Sequence, residues 1–268
     1  MPGTRRPQVV AHRGSSDAEA EHTLAAYAQA IHEGADALEC DVRLTADGHL
    51  VCMHDRRVER TSDGRGVVSS LELADLDDLD FASWKHPWAD LDDEAPDTDE
   101  GARKVLTLER LLDMVRGCDR RVELAVETKH PTRYAGLVER RLVELLRRYG
   151  WDGSDSNDPA PVRVMSYSWA SLHRVHERAP ALSTVYLMDR VPLRLRDGSL
   201  PRGASVAGLS IRVVRAHPRH VERLHSRGHE VHVFTVNDDG DVATCADLGV
   251  DAIITDRPGH VRQLLADR

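Results

Sequence analysis

No run of apolar residues in this 268-residue chain approaches the roughly 20 needed to cross a bilayer as a helix. The opening MPGTRRPQVVAHRG has no apolar stretch ahead of a cleavage site, so no secretory signal is expected and the cytoplasm is the expected compartment. Cysteine is sparse. Cys40, Cys52, Cys118 and Cys245 are scattered, with no C-x-x-C pair, which argues against a disulfide framework or a structural zinc site and for reduced, buried thiols. A basic excess is lacking too: the formal net charge is -9, which disfavours nonspecific nucleic-acid binding. An anionic substrate stays open, because a divalent cation and one or two basic side chains can invert the potential inside a pocket. There is no internal repeat.

What is present is alternation. Strand-length apolar runs are expected at Val9–His12, Ala37–Val42, Val122–Glu127, Val162–Tyr167, Ser183–Met188, Ser205–Ser210, Glu230–Val236 and Asp251–Thr255. Helical spacing lies between most of them, at Thr23–Gly34, Tyr134–Tyr149, Trp169–Arg178, His217–Arg227 and Asp239–Leu248, with a closing helix near Val261–Ala266. Thr23 can cap the first of these and Gly34 suits its end. Eight strands separated by helices predict an α/β fold, a (β/α)8 barrel rather than an open sheet, as one domain over 1–268.

Leu50–His54 also reads as a strand, yet only Thr45–His49 separates it from Ala37–Val42. A parallel crossover needs a dozen or more residues, so the two must form an antiparallel hairpin. Folding it about Asp47 and Gly48 sets His54 opposite Asp41. The following stretch, 56–105, is irregular, with a short helical segment at Leu71–Leu79 and an acidic run at Asp90–Glu100. It reads as a small subdomain inserted after the hairpin, its acidic end a solvated loop whose spacing matches no EF-hand-type site. Gly153–Pro161 reads as a turn-rich connection.

The chemistry concentrates at strand ends. In Leu38-Glu39-Cys40-Asp41-Val42 two carboxylates at i and i+2 share one face. They either face solvent at a strand end or are buried with a compensating cation or proton. Glu127 ends another apolar strand, and barrel strands present their ends at one mouth. Three converging carboxylates suit a hard cation, Mg2+ or Ca2+, better than zinc. His12-Arg13-Gly14 closes the first strand and His54-Asp55 the hairpin. Two histidines flanking a metal site suit general acid–base cleavage of a phosphodiester, and arginine can hold phosphate bidentately. Lys129 offers a second phosphate contact or a structural ion pair.

The run VVAHRGSSDAEAEHTLAAYAQAIHEGADALECDVRLTADGHLVCMHD closely resembles the opening of glycerophosphodiester phosphodiesterases, whose pattern is A-H-R-G, E-N-T-L, E-x-D-V-x-x-T-x-D-G and a strand ending in H-D. Further matches are Arg60–Gly64, Val105–Glu109, Glu127-Thr128-Lys129, Phe234-Thr235-Val236-Asn237 and Gly249–Pro258, so the resemblance spans nearly the whole chain. It implies His12 and His54 as acid and base, Glu39, Asp41 and Glu127 as ligands of one Mg2+ or Ca2+, and Arg13 and Lys129 on the phosphate. The implied reaction is hydrolysis of a glycerophosphodiester to glycerol 3-phosphate and an alcohol, within lipid and glycerol metabolism.

Three departures fall outside that set: His22 for Asn, Ala20 for Pro, and Phe234 for an aromatic indole. Phe234 still supplies an apolar wall for glycerol or head group, and His22 is a cap, a group behind the site or a substrate contact. A lysophospholipase D type activity on the same barrel is the nearest alternative, and a non-catalytic binding module the more distant one. Neither a nucleic-acid partner nor a stable membrane anchor is expected, and the chain reads as a monomer or homodimer.

Overall fold

A computed structural model describes residues 6–87, 100–130, 136–155 and 160–268. The strands are β1 (Gln8–His12), β2 (Ala37–Leu44), β3 (Leu50–Cys52), β4 (Glu123–Thr128), β5 (Val162–Ser166), β6 (Ser183–Met188), β7 (Val206–Ser210), β8 (Glu230–Phe234) and β9 (Ala252–Thr255). Parallel ladders run from β1 through β9, β8, β7, β6, β5 and β4 to β2, and β2 pairs back to β1. The sheet therefore closes, and the expected eight-stranded (β/α)8 barrel forms, with β3 hanging antiparallel on β2.

The α-helices of the described residues are α1 (Leu24–His32), α2 (Leu73–Asp77), α3 (Leu108–Arg116), α4 (Leu137–Tyr149), α5 (Trp169–Arg178), α6 (Ile211–Ala216), α7 (Arg219–Ser226), α8 (Asp239–Asp247) and α9 (Pro258–Ala266). Their starts are chemically marked. Thr23, Thr107, Ser168 and Asp238 each accept a first-turn N–H through the side chain. The helix expected over His217–Arg227 is α7, preceded by a separate helix, α6. Pro218 brings no N–H and excludes helical geometry from the residue before it, so the two cannot merge. No α-helix joins β6 to β7; a single 3-10 turn at Leu193–Leu195 stands there.

Period-two alternation sorts each strand into two faces. The barrel interior is a cluster containing Val10, Ala37, Ala125, Met165, Val185 and Ile254. Stepping two residues onward from each reaches His12, Glu39, Glu127, Tyr167, Leu187 and Asp256. The odd-parity partners, such as Ala11, Leu38, Cys40 and Val126, pack outward against the helices. Strand alternation thus puts His12, Glu39 and Glu127 on the inner face, at the C-terminal ends of their strands.

The other end is closed by a polar plug. Arg163 donates to Glu123 (2.9 Å) and Gln8 (2.7 Å), and Gln8 donates to Glu123 (2.9 Å). Buried His232 sits beside them, its pKa lowered to about 4 by burial and then by the Arg163 charge. Since the unfolded value is near 6.5, His232 leaves stability untouched above that pH. Between 6.5 and about 4 the unfolded chain takes up a proton that the native state refuses, so stability falls. The loss should reach about 3 kcal/mol. His232→Gln is expected to flatten this part of the stability–pH curve, read as urea midpoints at pH 7.5 and 4.5; an unchanged slope would refute the assignment.

The hairpin register differs from expectation. Val42 faces Cys52, Arg43 faces Val51 and Leu44 faces Leu50, so Met53, not His54, comes opposite Asp41; Met53 N–H donates to the Asp41 carbonyl. The loop holds three residues centred on Asp47, closed by the Thr45 N–H on the His49 carbonyl, with Gly48 at φ +92°. That left-handed position is what a three-residue hairpin loop requires, and the extra residue shifts every pair by one. The ladder ends at Cys52, leaving His54 outside the strand.

Beyond β3, residues 55–87 and 100–107 fold over the hairpin around Val51, Met53, Val58, Leu76, Phe81 and Val105. The helical part of this segment is α2, shorter than the expected Leu71–Leu79. Positions 88–99, which hold nearly all of the acidic run, and part of the Gly153–Pro161 connection lie outside the described residues.

Candidate active site

A cavity of about 390 Å³ opens at the C-terminal ends of the barrel strands, lined on one side by His12, Arg13, Glu39, His54, Glu127 and Lys129. Its other side is Met165, Tyr167, Leu187, Ile211 and Phe234, with Asp189 and Arg212 at the edge. All the sequence-predicted site residues except Asp41 line this space. Asp41 lies directly behind it, bridged by Lys129.

Glu39, Asp41 and Glu127 are buried, and each presents a carboxylate oxygen within 4.8 Å of the others. The solvent-facing alternative for Glu39 and Asp41 is therefore not what folds. Lys129 Nζ lies 2.8 Å from both Asp41 and Glu127, and Arg13 Nε lies 3.2 Å from Asp41. Two cations against three carboxylates leave one negative charge over, and it falls on the glutamates. Burial and then repulsion from Asp41 raise Glu127 to about 7 and push Glu39 well above the carboxylate range. Burial acts on Asp41 in the same sense but is overcome by the His22 hydrogen bond, Lys129 and Arg13, which hold it well below its usual value. Among the described residues, the Glu39 side chain receives only the Arg13 backbone N–H, at 3.2 Å. An oxygen-lined cluster with uncompensated charge fits a divalent cation.

Each histidine is tied through Nδ1 to a carboxylate. His12 Nδ1 lies 2.6 Å from Asp256, whose position is fixed by the Ser16 hydroxyl (3.0 Å) and by the Asn237 side-chain amide. Burial opposes the Asp256 charge, but the hydrogen bond from His12 prevails and holds its pKa at about 2. His54 Nδ1 lies 2.7 Å from Asp55, which Arg60 grips at 2.5 Å. Arg60 also donates twice to Glu21, and Glu21 accepts from Arg13, so one ionic chain runs from His54 to the carboxylate cluster. In both cases Nε2 is the nitrogen left for the cavity. Burial lowers His54 to about 4, assisted by Lys129 and Arg13 against the opposing pull of Asp41, so it is neutral at physiological pH.

His22 is a supporting group. It lies buried behind Asp41 at φ +61°, with Nε2 3.0 Å from Asp41 and Nδ1 2.9 Å from the Tyr27 hydroxyl, while Thr23 does the helix capping. The Tyr27 hydroxyl in turn donates to the Glu39 carbonyl at 3.0 Å, tying His22 to the β2 backbone as well. His22→Ala removes a donor from a buried carboxylate and is expected to cost about 1–3 kcal/mol of stability. Asparagine tolerates the left-handed backbone and carries an amide donor, so His22→Asn should recover most of it. Equal denaturation midpoints for His22→Ala and wild type would exclude this role.

Sequence reasoning passed over Asp256, Asp55, Glu21, Arg60 and Arg43. Arg43 continues the Glu39, Asp41 face by two and donates twice to the His54 carbonyl (2.7 and 3.0 Å), fixing the chain where it leaves β3. That spacing was a readable signal. Asp256, one residue past β9, carried the same strand-end signal as Glu127. The Arg60–Glu21 pair joins residues 39 apart and had none.

Residues 12–260 match the model of the glycerophosphoryl diester phosphodiesterase family. The chain is 43% identical over 262 residues to the probable glycerophosphodiester phosphodiesterase 1 of Mycobacterium tuberculosis, covering 97% of this chain and 93% of that protein. It is 33% identical over 251 residues to a glycerophosphodiester phosphodiesterase of Bacillus subtilis, covering 93% and 83%. Among solved structures, an Oleispira antarctica phosphodiesterase in complex with the product sn-glycerol-3-phosphate superposes with a TM-score of 0.80, at 25% identity and 97% coverage of both chains.

Proposed function

The chain belongs to the glycerophosphoryl diester phosphodiesterase family and is one of its phosphodiesterases, and we propose that it hydrolyses glycerophosphodiesters to glycerol 3-phosphate and an alcohol by histidine acid–base catalysis beside one divalent cation. The observation that carries this reading is the pair of carboxylate-anchored histidines on one cavity with three clustered carboxylates.

The substrate phosphate would lie against Arg13 and Lys129, whose charges face the same space. Neutral His54 accepts the proton of the attacking hydroxyl, the glycerol hydroxyl next to the diester. Its oxygen then bonds to phosphorus as the bond to the departing alcohol oxygen breaks. His12, its ring oriented by the Nδ1 contact to Asp256, gives a proton from Nε2 to the leaving oxygen. Water opens the resulting cyclic phosphate by the same two groups in reversed roles, which returns both histidines to their starting state. Glu39, Asp41 and Glu127 would hold Mg2+ or Ca2+, which when bound supplies Lewis-acid stabilisation of the phosphoryl oxygens. Phe234, set edge-on to Tyr167 with ring centres 6.0 Å apart, forms the apolar wall for glycerol.

We read residues 56–105 as an insertion into a single barrel domain and the cytoplasm as the site of action; among the described residues no helix is long and apolar enough to cross a membrane. The direct test is phosphorus NMR of a glycerophosphodiester panel with added Mg2+ or Ca2+. Release of glycerol 3-phosphate is the expected result, and an unchanged spectrum across the panel would sink the proposal.

A further inference from the structure

Arg60 joins two connections that carry different parts of the site. Its Nη1 and Nη2 donate to the two oxygens of Glu21, both at 2.8 Å, and its Nε lies 2.5 Å from Asp55. Glu21 belongs to the loop between β1 and α1, which also carries Arg13, whereas Asp55 follows β3 and adjoins His54. Each acid also holds a residue of the site. Glu21 accepts from Arg13 Nη1 at 3.0 Å, and Asp55 meets His54 Nδ1 at 2.7 Å. One planar guanidinium thus reaches, through two acids, a histidine and an arginine that both line the cavity.

An exposed ion pair by itself contributes little. This one differs in kind. Its contact to Glu21 is bidentate, and the Glu21 side chain is only 12% exposed. Burial opposes the Glu21 charge, but the Arg60 hydrogen bond and then the Arg13 charge hold its pKa at about 2. Arg60 is also firmly seated. Its neighbour Thr61 is buried, donates its N–H to the Val58 carbonyl at 3.2 Å and its hydroxyl to the Met53 sulfur at 3.5 Å.

The β1 loop needs such a hold. Arg13 (φ +58°) and His22 (φ +61°) both sit in the left-handed region, which a residue with a Cβ keeps only where its surroundings fix it. The two are joined by the His22 N–H on the Arg13 carbonyl at 3.1 Å, and Glu21 is the residue beside that bond. Without Arg60, Glu21 would draw the Arg13 guanidinium toward itself and away from the cavity. Asp55 would lose the group that fixes its second oxygen, and the His54 ring would lose a fixed anchor.

We propose that Arg60 is a positioning residue with two arms, one setting the His54 ring through Asp55, the other setting the Arg13 guanidinium through Glu21. The His54 arm governs turnover and the Arg13 arm governs phosphate binding. Those kinetic consequences, unlike the positioning itself, rest on the hydrolase reading.

The test is steady-state kinetics of the full chain on glycerophosphocholine with added Mg2+, beside calorimetric binding of glycerol 3-phosphate. Arg60→Gln should lower kcat by about tenfold, the scale of a small misplacement of a reacting group. It should also raise KM and weaken glycerol 3-phosphate binding by about tenfold, the loss of a well-aimed charged hydrogen bond. Asp55→Asn should lower kcat alone, and Glu21→Gln should raise KM and weaken binding alone. On the Asp55→Asn background, Arg60→Gln should cost no further kcat yet still raise KM; on the Glu21→Gln background, the reverse. Arg60→Lys keeps the charge without the fork and should stay impaired in at least one constant.

A lower denaturation midpoint with both constants unchanged would make Arg60 merely structural and overturn the proposal. So would losses that add in full to those of Asp55→Asn and Glu21→Gln, or complete recovery in Arg60→Lys. Wild type that fails to bind glycerol 3-phosphate would overturn the Arg13 arm. Wild type that binds it without cleaving the diester would count against the hydrolase reading alone. The binding cycle of Arg60 with Glu21 then still decides the Arg13 arm. The imidazole N–H signal of His54, which should exchange faster with water in Arg60→Gln than in wild type, decides the other; an unchanged exchange rate would overturn it.

Discussion

His12→Ala is expected to lower kcat by about 10²–10⁴-fold, the usual contribution of a positioned acid or base, with little change in the denaturation midpoint. His54→Ala should fall in the same range, but the two losses differ in kind. His12 would protonate the leaving oxygen, so a substrate with a nitrophenol leaving group, which departs without a proton, should restore much of the His12→Ala rate. His54 would take the proton of the nucleophile, and no leaving group should rescue its loss. Asp256→Asn removes the anion that fixes the His12 ring and should fall between wild type and His12→Ala, with the same rescue pattern. Wild-type turnover in either histidine variant would remove the acid–base assignment. Rescue of both, or of neither, would reverse or dissolve the division of roles.

Exhaustive chelation is the second large effect. Hydrolysis should drop to background and return on addition of Mg2+ or Ca2+, because the cluster holds more negative charge than Lys129 and Arg13 neutralise. Binding should also be visible without turnover. A cation at 100 times its Kd stabilises the native state by about 2.7 kcal/mol, enough to move a thermal midpoint by several degrees. Glu39→Gln should shrink that shift, since it removes the carboxylate that no side-chain cation serves. Undiminished hydrolysis in chelator, or a midpoint indifferent to either metal, would count decisively against a Glu39, Asp41, Glu127 metal site.

How much of this was written in the chain depends on the range of the physical signal. Period-two alternation is local, so the strand order and the inward aim of His12, Glu39, Asp41 and Glu127 followed from the sequence. The same alternation pointed to Arg43 and Asp256, whose strand-end positions went unread. Caps at Thr23 and Ser168 are likewise one-residue decisions. The hairpin register was missed by one because a two-residue and a three-residue loop share the same Asp-Gly signature; only the closed loop, with Gly48 left-handed, selects between them.

The sequence by itself determined a closed α/β barrel and the set of residue types gathered at its mouth. Tertiary structure alone decided how they are wired. Asp55, Arg60, Glu21 and Arg13 form one ionic chain because the segment after β3 folds back over the mouth, and no spacing in the chain encodes that return. His22 lies behind Asp41 because β1 and β2 pair side by side, which brings the loop after β1 onto the end of β2. Local preference sets where a side chain points, whereas what it meets is settled only when distant segments close on one another.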